Sequence, residues 1–431
     1  MQISPKGYRF LVPLLLPLAV LYLLWRARKQ PDYLKYWSER FAWGSFPAPR
    51  VGHPRIWIHA VSVGETNATR PLVQAILKKW PQCDILLTHM TPTGRDTGRK
   101  IVELAPDRIQ QAMLPYDAVF AVRKFLRQTQ PLMGIVMETE VWPTLLEEAR
   151  VNQIPMVLAN ARLSEKSYNQ AMKFESVMRD AMGKFSKGCA QSQKDADRLL
   201  SLGTVEPEVV GSLKFDIQPP KKSLLLASDW KSQIKEKILL MASTRDGEEQ
   251  QFIDAIEAFR KEVPSVPVKY LLVPRHPQRF AEVEQMLKKS SLRYQKRSEL
   301  TSVQDLKPET DVIFGDTMGE MFFFCALADV TLMGGSYENF GCQNVIEPAS
   351  VGVPVIVGPY TFNFATVVER AIEMGAIEQV KNAKEGVVLA HAWLANDQEL
   401  ANRKANALAF SQAYVGATER HMRVLEHLWS K

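Results

Sequence analysis

Several carboxylates stand where apolar runs give way to small or polar residues. Glu65 follows Gly64 in IHAVSVGETN (58–67), and Glu138 and Glu140 close GIVMETE (134–140). A carboxylate so placed can take a proton from an attacking hydroxyl, and partial burial raises its pKa toward neutrality and improves it as a base. It can equally cap a helix, since acids are favoured in a first turn; Glu65, with helical pattern beginning near Thr66, fits both descriptions. Glu138 lies among apolar residues, where an unpaired carboxylate is costly unless protonated or paired. An ion pair within its own domain and a place beside a substrate hydroxyl both meet that need. Other runs end in Thr91 to Gly94, in Arg275 and His276, and in Gly334, Gly335 and Ser336.

The elements that position these residues recur in two halves. IWIHAV (56–61), DILLTHM (84–90), GIVMETE and PMVLANA (155–161) alternate with helical periodicity such as 70–79 and 119–128. The pattern restarts after Lys214 with ILLMAST (238–244), KYLLVPRH (269–276), DVIFGDT (311–317), ADVTLMGGS (328–336) and VPVIVGP (353–359). Such alternation predicts α/β domains, each a parallel sheet covered on both faces by helices. Two Rossmann-like domains are expected, 31–214 and 215–431, the second ending in helices. They join near SLKFDIQPPKKS (212–223), whose prolines and charges read as a linker. Ligands of doubly wound sheets bind at the carboxyl ends of the strands, where the polar and glycine residues above fall. Two such domains predict an enzyme with a central cleft.

At 431 residues the chain exceeds one ordinary core. Its net charge of +7 is concentrated in residues 1–50, where eight Lys/Arg face Asp32 and Glu39. Beside the apolar run FLVPLLLPLAVLYLLW (10–25) this charge suits anionic lipid headgroups, not a nucleic-acid stripe. Residues 1–30 therefore read as a membrane anchor with a basic flank. The heavier Lys/Arg load after the run places the catalytic domains on the cytoplasmic side. Four scattered cysteines, without a CxxC, indicate a reducing compartment. No GxGxxG, P-loop, GxSxG, HExxH or Cys/His cluster occurs, which disfavours nicotinamide chemistry, P-loop phosphoryl transfer, serine hydrolysis and a zinc site. DAD (195–197) lies in QKDADRLLSL, which reads as an exposed helix start and not a metal site.

The strings HAVSVGE, MTPTGR, METEVWP, LANARLS, GSLKFDI, VPRHPQRF, GDTMGE, GGSYENFGCQNVIEP and GPYTFNF resemble, in order, the 3-deoxy-D-manno-octulosonic acid (Kdo) transferases of lipopolysaccharide biosynthesis. The resemblance runs from about residue 8 to the end of the chain. It implies a GT-B glycosyltransferase at the inner membrane. Such an enzyme moves Kdo from CMP-Kdo to a lipid A precursor (lipid IVA), with inversion and without metal or other cofactor. It makes Glu65 the catalytic base and Glu138 and Lys214 the groups that stabilise the transition state. Donor CMP contacts fall at Pro274 and Arg275, at Gly319, Glu320 and Met321, and at Asn344, Val345, Ile346 and Glu347. Arg95 and Arg99 are candidates for acceptor phosphates. Where the family often reads GGHN and STHEGEE, this chain has GCQN (341–344) and STRDGEE (243–249), so Arg245 and Gln343 replace histidines. Competing readings are a GT-B transferase using another nucleotide sugar and a catalytically silent, membrane-anchored nucleotide-binding protein.

Overall fold

The computed structural model describes residues 3–263 and 267–429. The chain forms two compact units. The first runs to Ile217 and takes the chain back from Val415, and the second is Gln218–Tyr414.

The first unit is built on a parallel sheet of β1 (Arg55–His59), β2 (Asp84–His89), β3 (Ile109–Met113), β4 (Met133–Met137), β5 (Met156–Ala161), β6 (Lys187–Ala190) and β7 (Glu208–Val209), in the order β3-β2-β1-β4-β5-β6-β7. Successive strand residues face opposite sides, so β1 feeds two cores. Trp57 joins Leu86, Val136 and Leu158 on one face. Ile56 and Ile58 join Ile85, Leu87, Ile135 and Val157 on the other. Burial on both faces is why these strands read as unbroken apolar runs.

The second unit repeats the plan with β8 (Lys237–Thr244), β9 (Val268–Pro274), β10 (Tyr294–Lys296), β11 (Val312–Phe314), β12 (Val330–Met333), β13 (Val355–Val357) and β14 (Ile377–Gln379), ordered β10-β11-β9-β8-β12-β13-β14. In each sheet one parallel pairing slips near its carboxyl end: between β5 and β6 at Leu158/Ala161, and between β8 and β9 at Ala242/Thr244. Asn160 and Ser243, at the slips, adopt left-handed backbone with φ of 52° and 54°. Bulges of this kind re-aim chains beside functional sites.

Three expectations change. The segment 212–223 is not a free linker: Leu213–Asp216 is a 3-10 turn with Leu213 and Phe215 buried in the first unit, and a helix begins at Lys221. The helix Ala417–Trp429 joins the first unit, not the second, because Met422, Val424 and Leu425 complete the core under β1. The apolar run is part of a longer helix, Pro5–Ala27, which starts at Ser4, whose hydroxyl caps Gly7 N–H, and which carries Pro13 and Pro17 within it. In addition Asp195 of DAD is buried, accepting from Leu163 N–H at 2.8 Å, so that helix start is not exposed.

The helix Pro5–Ala27 lies against the first unit along one stripe, Leu16, Val20, Leu23 and Ala27. Its opposite face leaves Phe10, Leu14, Leu18, Leu21 and Trp25 exposed. Tyr8 donates to Asp117 Oδ2 at 3.1 Å and Arg9 pairs with the buried Glu148 near its start; Arg26 donates to Tyr33 Oη at 2.8 Å near its end.

Candidate active site

Glu65 is the third residue of the helix Val63–Lys79, whose N-cap is Ser62. Val61 N–H donates to its Oε2 and the Ser62 hydroxyl to its Oε1, both at 2.8 Å, while Ser62 Oγ accepts from Glu65 N–H at 3.4 Å. Ser62 is thus the cap, and Glu65, in the first turn, has its carboxylate oriented by Val61 and Ser62. Burial pushes its carboxyl up to about 7, and Glu138 and Glu140 add to the rise, against the two hydrogen bonds that favour the anion. Val61 is fixed in turn by Thr91, whose hydroxyl donates to Val61 C=O at 2.9 Å. A Cβ at Gly94 would come within 2.7 Å of that same carbonyl, so the MTPTGR glycine permits the close approach of two loops. At Gly64 a Cβ would meet only Ser62 Oγ at 3.9 Å; its freedom faces open space.

Glu138 follows β4 in left-handed backbone, φ 55°, its N–H bound to Ala159 C=O at 2.9 Å. Its Oε1 lies 3.3 Å from Lys214 Nζ, with both side chains about a quarter exposed. The structure therefore joins Glu138 and Lys214 in one ion pair, and places their carboxylate in electrostatic range of Glu65. Glu140 is raised as well, first by burial and then by Glu138, with a hydrogen bond to Trp142 opposing. Strained non-glycine backbone at such a place is a hallmark of functional sites. Arg95 and Arg99 sit on the helix Pro92–Val102. Arg95 pairs with Glu39 and stacks 3.8 Å over the Tyr36 ring, and Arg99 reaches Asp96 at 3.3 Å from an exposed position.

In the second unit, Pro274 ends β9 and Arg275, exposed, donates its N–H to Thr244 C=O at 3.0 Å. Gly319 takes φ 85°, Glu320 caps the short helix Met321–Leu327 and pairs with Arg297 at 2.8 Å, and Met321 opens that helix. Asn344 Oδ1 accepts from Ile346 N–H at 3.1 Å, and Val345 and Ile346 are buried. Burial raises the Glu347 carboxyl, while Asn344 and the Arg275 charge hold it down. Arg275, Asn344 and Glu347 accordingly belong to one neighbourhood, and Gly319, Glu320 and Met321 lie beyond β11 at the start of a helix that packs against the one carrying Glu347. Arg245 lies 4.3 Å over the Phe340 ring.

Sequence reasoning passed over the residue that builds this half. Glu248 is fully buried and accepts backbone N–H from Arg245, Gly335 and Tyr337 at 2.7–2.9 Å, and from Glu338 at 3.3 Å. It clamps the loop after β8 to the loop after β12, and a Cβ at Gly334 would be 2.5 Å from Ser243 C=O. The only signal was two adjacent acids in DGEE, which look the same as an exposed first turn.

A family model described as "3-Deoxy-D-manno-octulosonic-acid transferase (kdotransferase)" matches residues 35–217. The chain is 39% identical over 416 residues to a 3-deoxy-D-manno-octulosonic acid transferase of Bordetella pertussis, covering 96% of each. It is 32% identical over 410 residues to one of Haemophilus influenzae, covering 93% of this chain and 92% of the other. Among solved structures it superposes on the UDP-GlcNAc 2-epimerase of Neisseria meningitidis bound to UDP-GlcNAc, with TM-score 0.57, 13% identity and coverage of 86% and 100%. On MurG of Acinetobacter baumannii the TM-score is 0.54, with 13% identity and coverage of 87% and 99%. Identities this low bear on fold alone, and the fold is GT-B. With the sequence likeness spanning both units, the chain belongs to the 3-deoxy-D-manno-octulosonic acid transferases, a family of glycosyltransferases.

Proposed function

We propose that this glycosyltransferase moves Kdo from CMP-Kdo to a lipid A precursor, inverting the anomeric carbon and using no metal. The observation that carries the reading is Glu65, held by Val61 and Ser62, buried and pushed up to about 7 in range of the Glu138–Lys214 pair. An acceptor hydroxyl attacks the anomeric carbon and Glu65 takes its proton. The bond from that carbon to the CMP phosphate oxygen breaks, and the electron pair leaves on the phosphate. Arg275 suits the departing charge, Glu347 suits the ribose hydroxyls, and Lys214 meets the negative charge of the donor. Arg95 and Arg99 are proposed acceptor-phosphate contacts; Arg95 would exchange Glu39 for that phosphate.

We place the enzyme on the cytoplasmic side of the inner membrane, with the helix Pro5–Ala27 in the plane of the interface. Both of its ends bond to the same globular unit, through Tyr8 and Arg9 and through Arg26, across roughly 26 Å of helix. A spanning helix would carry Tyr8 to the far side of a hydrocarbon core about 30 Å thick. The exposed face is apolar, and the basic residues at both ends suit anionic headgroups.

The test is transfer from CMP-Kdo, generated in situ, to a tetra-acylated lipid A precursor in EDTA, with products read by mass. The intact protein should form product, and Glu65→Ala should lose about a hundredfold or more of kcat. Full activity in Glu65→Ala would remove the base role. Absence of product from folded protein, with thermal protection by UDP instead of CMP, would move the donor to another nucleotide sugar.

A further inference from the structure

Lys214 is carried by a turn that two distant segments hold in place. Leu213 N–H donates to Asn160 Oδ1 at 3.0 Å, fixing the residue before it. Asp216, two residues after it, accepts from Gly416 N–H at 2.7 Å and from Thr418 N–H, so the turn is also the cap of the helix Ala417–Trp429. Asn160 is itself fully buried in left-handed backbone and bonded on both sides of its main chain. Its C=O accepts from Gln191 Nε2 at 2.8 Å and its N–H donates to His421 Nε2 at 2.9 Å. His421, on the returning helix, has its other nitrogen 2.7 Å from Ala417 C=O. That bond makes Nδ1 the donor and leaves Nε2 the acceptor that Asn160 requires. Burial holds the ring down to about 4, so it stays neutral at working pH.

We propose that Asn160 and His421 are positioning residues for Lys214. His421 fixes the backbone of Asn160, the Asn160 amide fixes the backbone of Leu213, and the turn so held presents the lysine to Glu138. The left-handed backbone at Asn160 has a purpose in this arrangement, since it turns the end of β5 so that its side chain reaches the Lys214 turn. A lysine on a four-carbon stem is imprecise by itself, and a shift of about 1 Å at a reacting centre can cost about a hundredfold in rate. Neither residue touches substrate. The proposal rests on the reading that Lys214 acts in the transfer reaction.

The experiment compares Asn160→Ala, Lys214→Met and the double variant in the full chain, measuring kcat, KM for CMP-Kdo, the pH profile of kcat/KM and Tm. Lys214→Met should lower kcat about a hundredfold and move the acid limb upward, because the Glu138 charge then raises Glu65 unopposed. Asn160→Ala should lower kcat about tenfold or more, move the limb the same way and leave the double variant no slower than Lys214→Met alone. A lower Tm with kcat and acid limb unmoved would make Asn160 merely structural and overturn the proposal. Full activity in Lys214→Met would remove the underlying role of the lysine, and the proposal with it. Should Asn160→Ala fail to fold, His421→Gln, which keeps an acceptor, should retain the parent rate and limb where His421→Leu does not. Equal behaviour of those two variants would overturn it as well.

Discussion

At the scale of single residues, Glu65 combines a first-turn position with a carboxyl pushed up to about 7, because burial outweighs the two hydrogen bonds that favour its anion. The sign of the linkage follows. Its folded pKa of about 7 stands above the ordinary 4.5, so the folded state holds the proton more tightly between those values. The stability it contributes is present below about pH 4.5 and is lost as pH rises through about 7. Glu65→Gln, which cannot ionise, should therefore melt higher than the parent at pH 8 and lose that advantage toward pH 4.5, while kcat falls by about 10²–10⁴. A Tm below the parent at pH 8 would mean that the Val61 and Ser62 hydrogen bonds stabilise the anion outright. Glu65 stood out in the sequence from its place after Gly64, but the readings of a helix cap and a base were not separable there, since both want the same position. Pairing of Glu138 with Lys214 was not legible either, because it depends on how the turn beyond β7 bonds to Asn160 near the end of β5.

Among elements, the central strands were the most readable and the edges the least. β1, β2, β4 and β5 announce themselves as apolar runs buried on both faces, whereas β3 reads IQQAM and β7 has two exposed residues. An edge strand with one partner has less to bury, so its sequence carries little pattern. The loops at the carboxyl ends behave in the same way. Glu248 holds one pair of them through four backbone donors, a role visible only once β8 and β12 are neighbours. Replacing Gly334 with Ala should separate those loops, since its Cβ meets backbone at 2.5 Å. We expect weaker CMP protection in a thermal shift assay with the first unit's Tm unchanged. For the apolar helix, the four native cysteines are buried, so new cysteines at Ile3 and Arg28 can report cleanly. Both should label in inverted membrane vesicles and neither in right-side-out vesicles; labelling from opposite sides would show a spanning helix.

Across the whole molecule, the chain leaves the first unit at Ile217 and returns at Val415, so the second unit is one continuous segment and the first is two. Expressed alone, Gln218–Tyr414 should unfold cooperatively and bind CMP. A chain ending at Tyr414 should instead lose the first unit's Tm, because it lacks Met422, Val424 and Leu425 from the core, together with the Trp429 ring stacked 4.5 Å from Trp80. If that shortened chain melted like the parent, the returning helix would be dispensable to the fold. This split was illegible in a sequence whose two halves share one grammar; only the destination of the last helix reveals it. It also sets an order of assembly. The ribosome delivers the helix Pro5–Ala27 before the second unit, and the helix that closes the first unit's core only after it. Throughout that interval the floor of the first unit stays uncovered, so on the reading proposed above the chain can meet the membrane before it can catalyse.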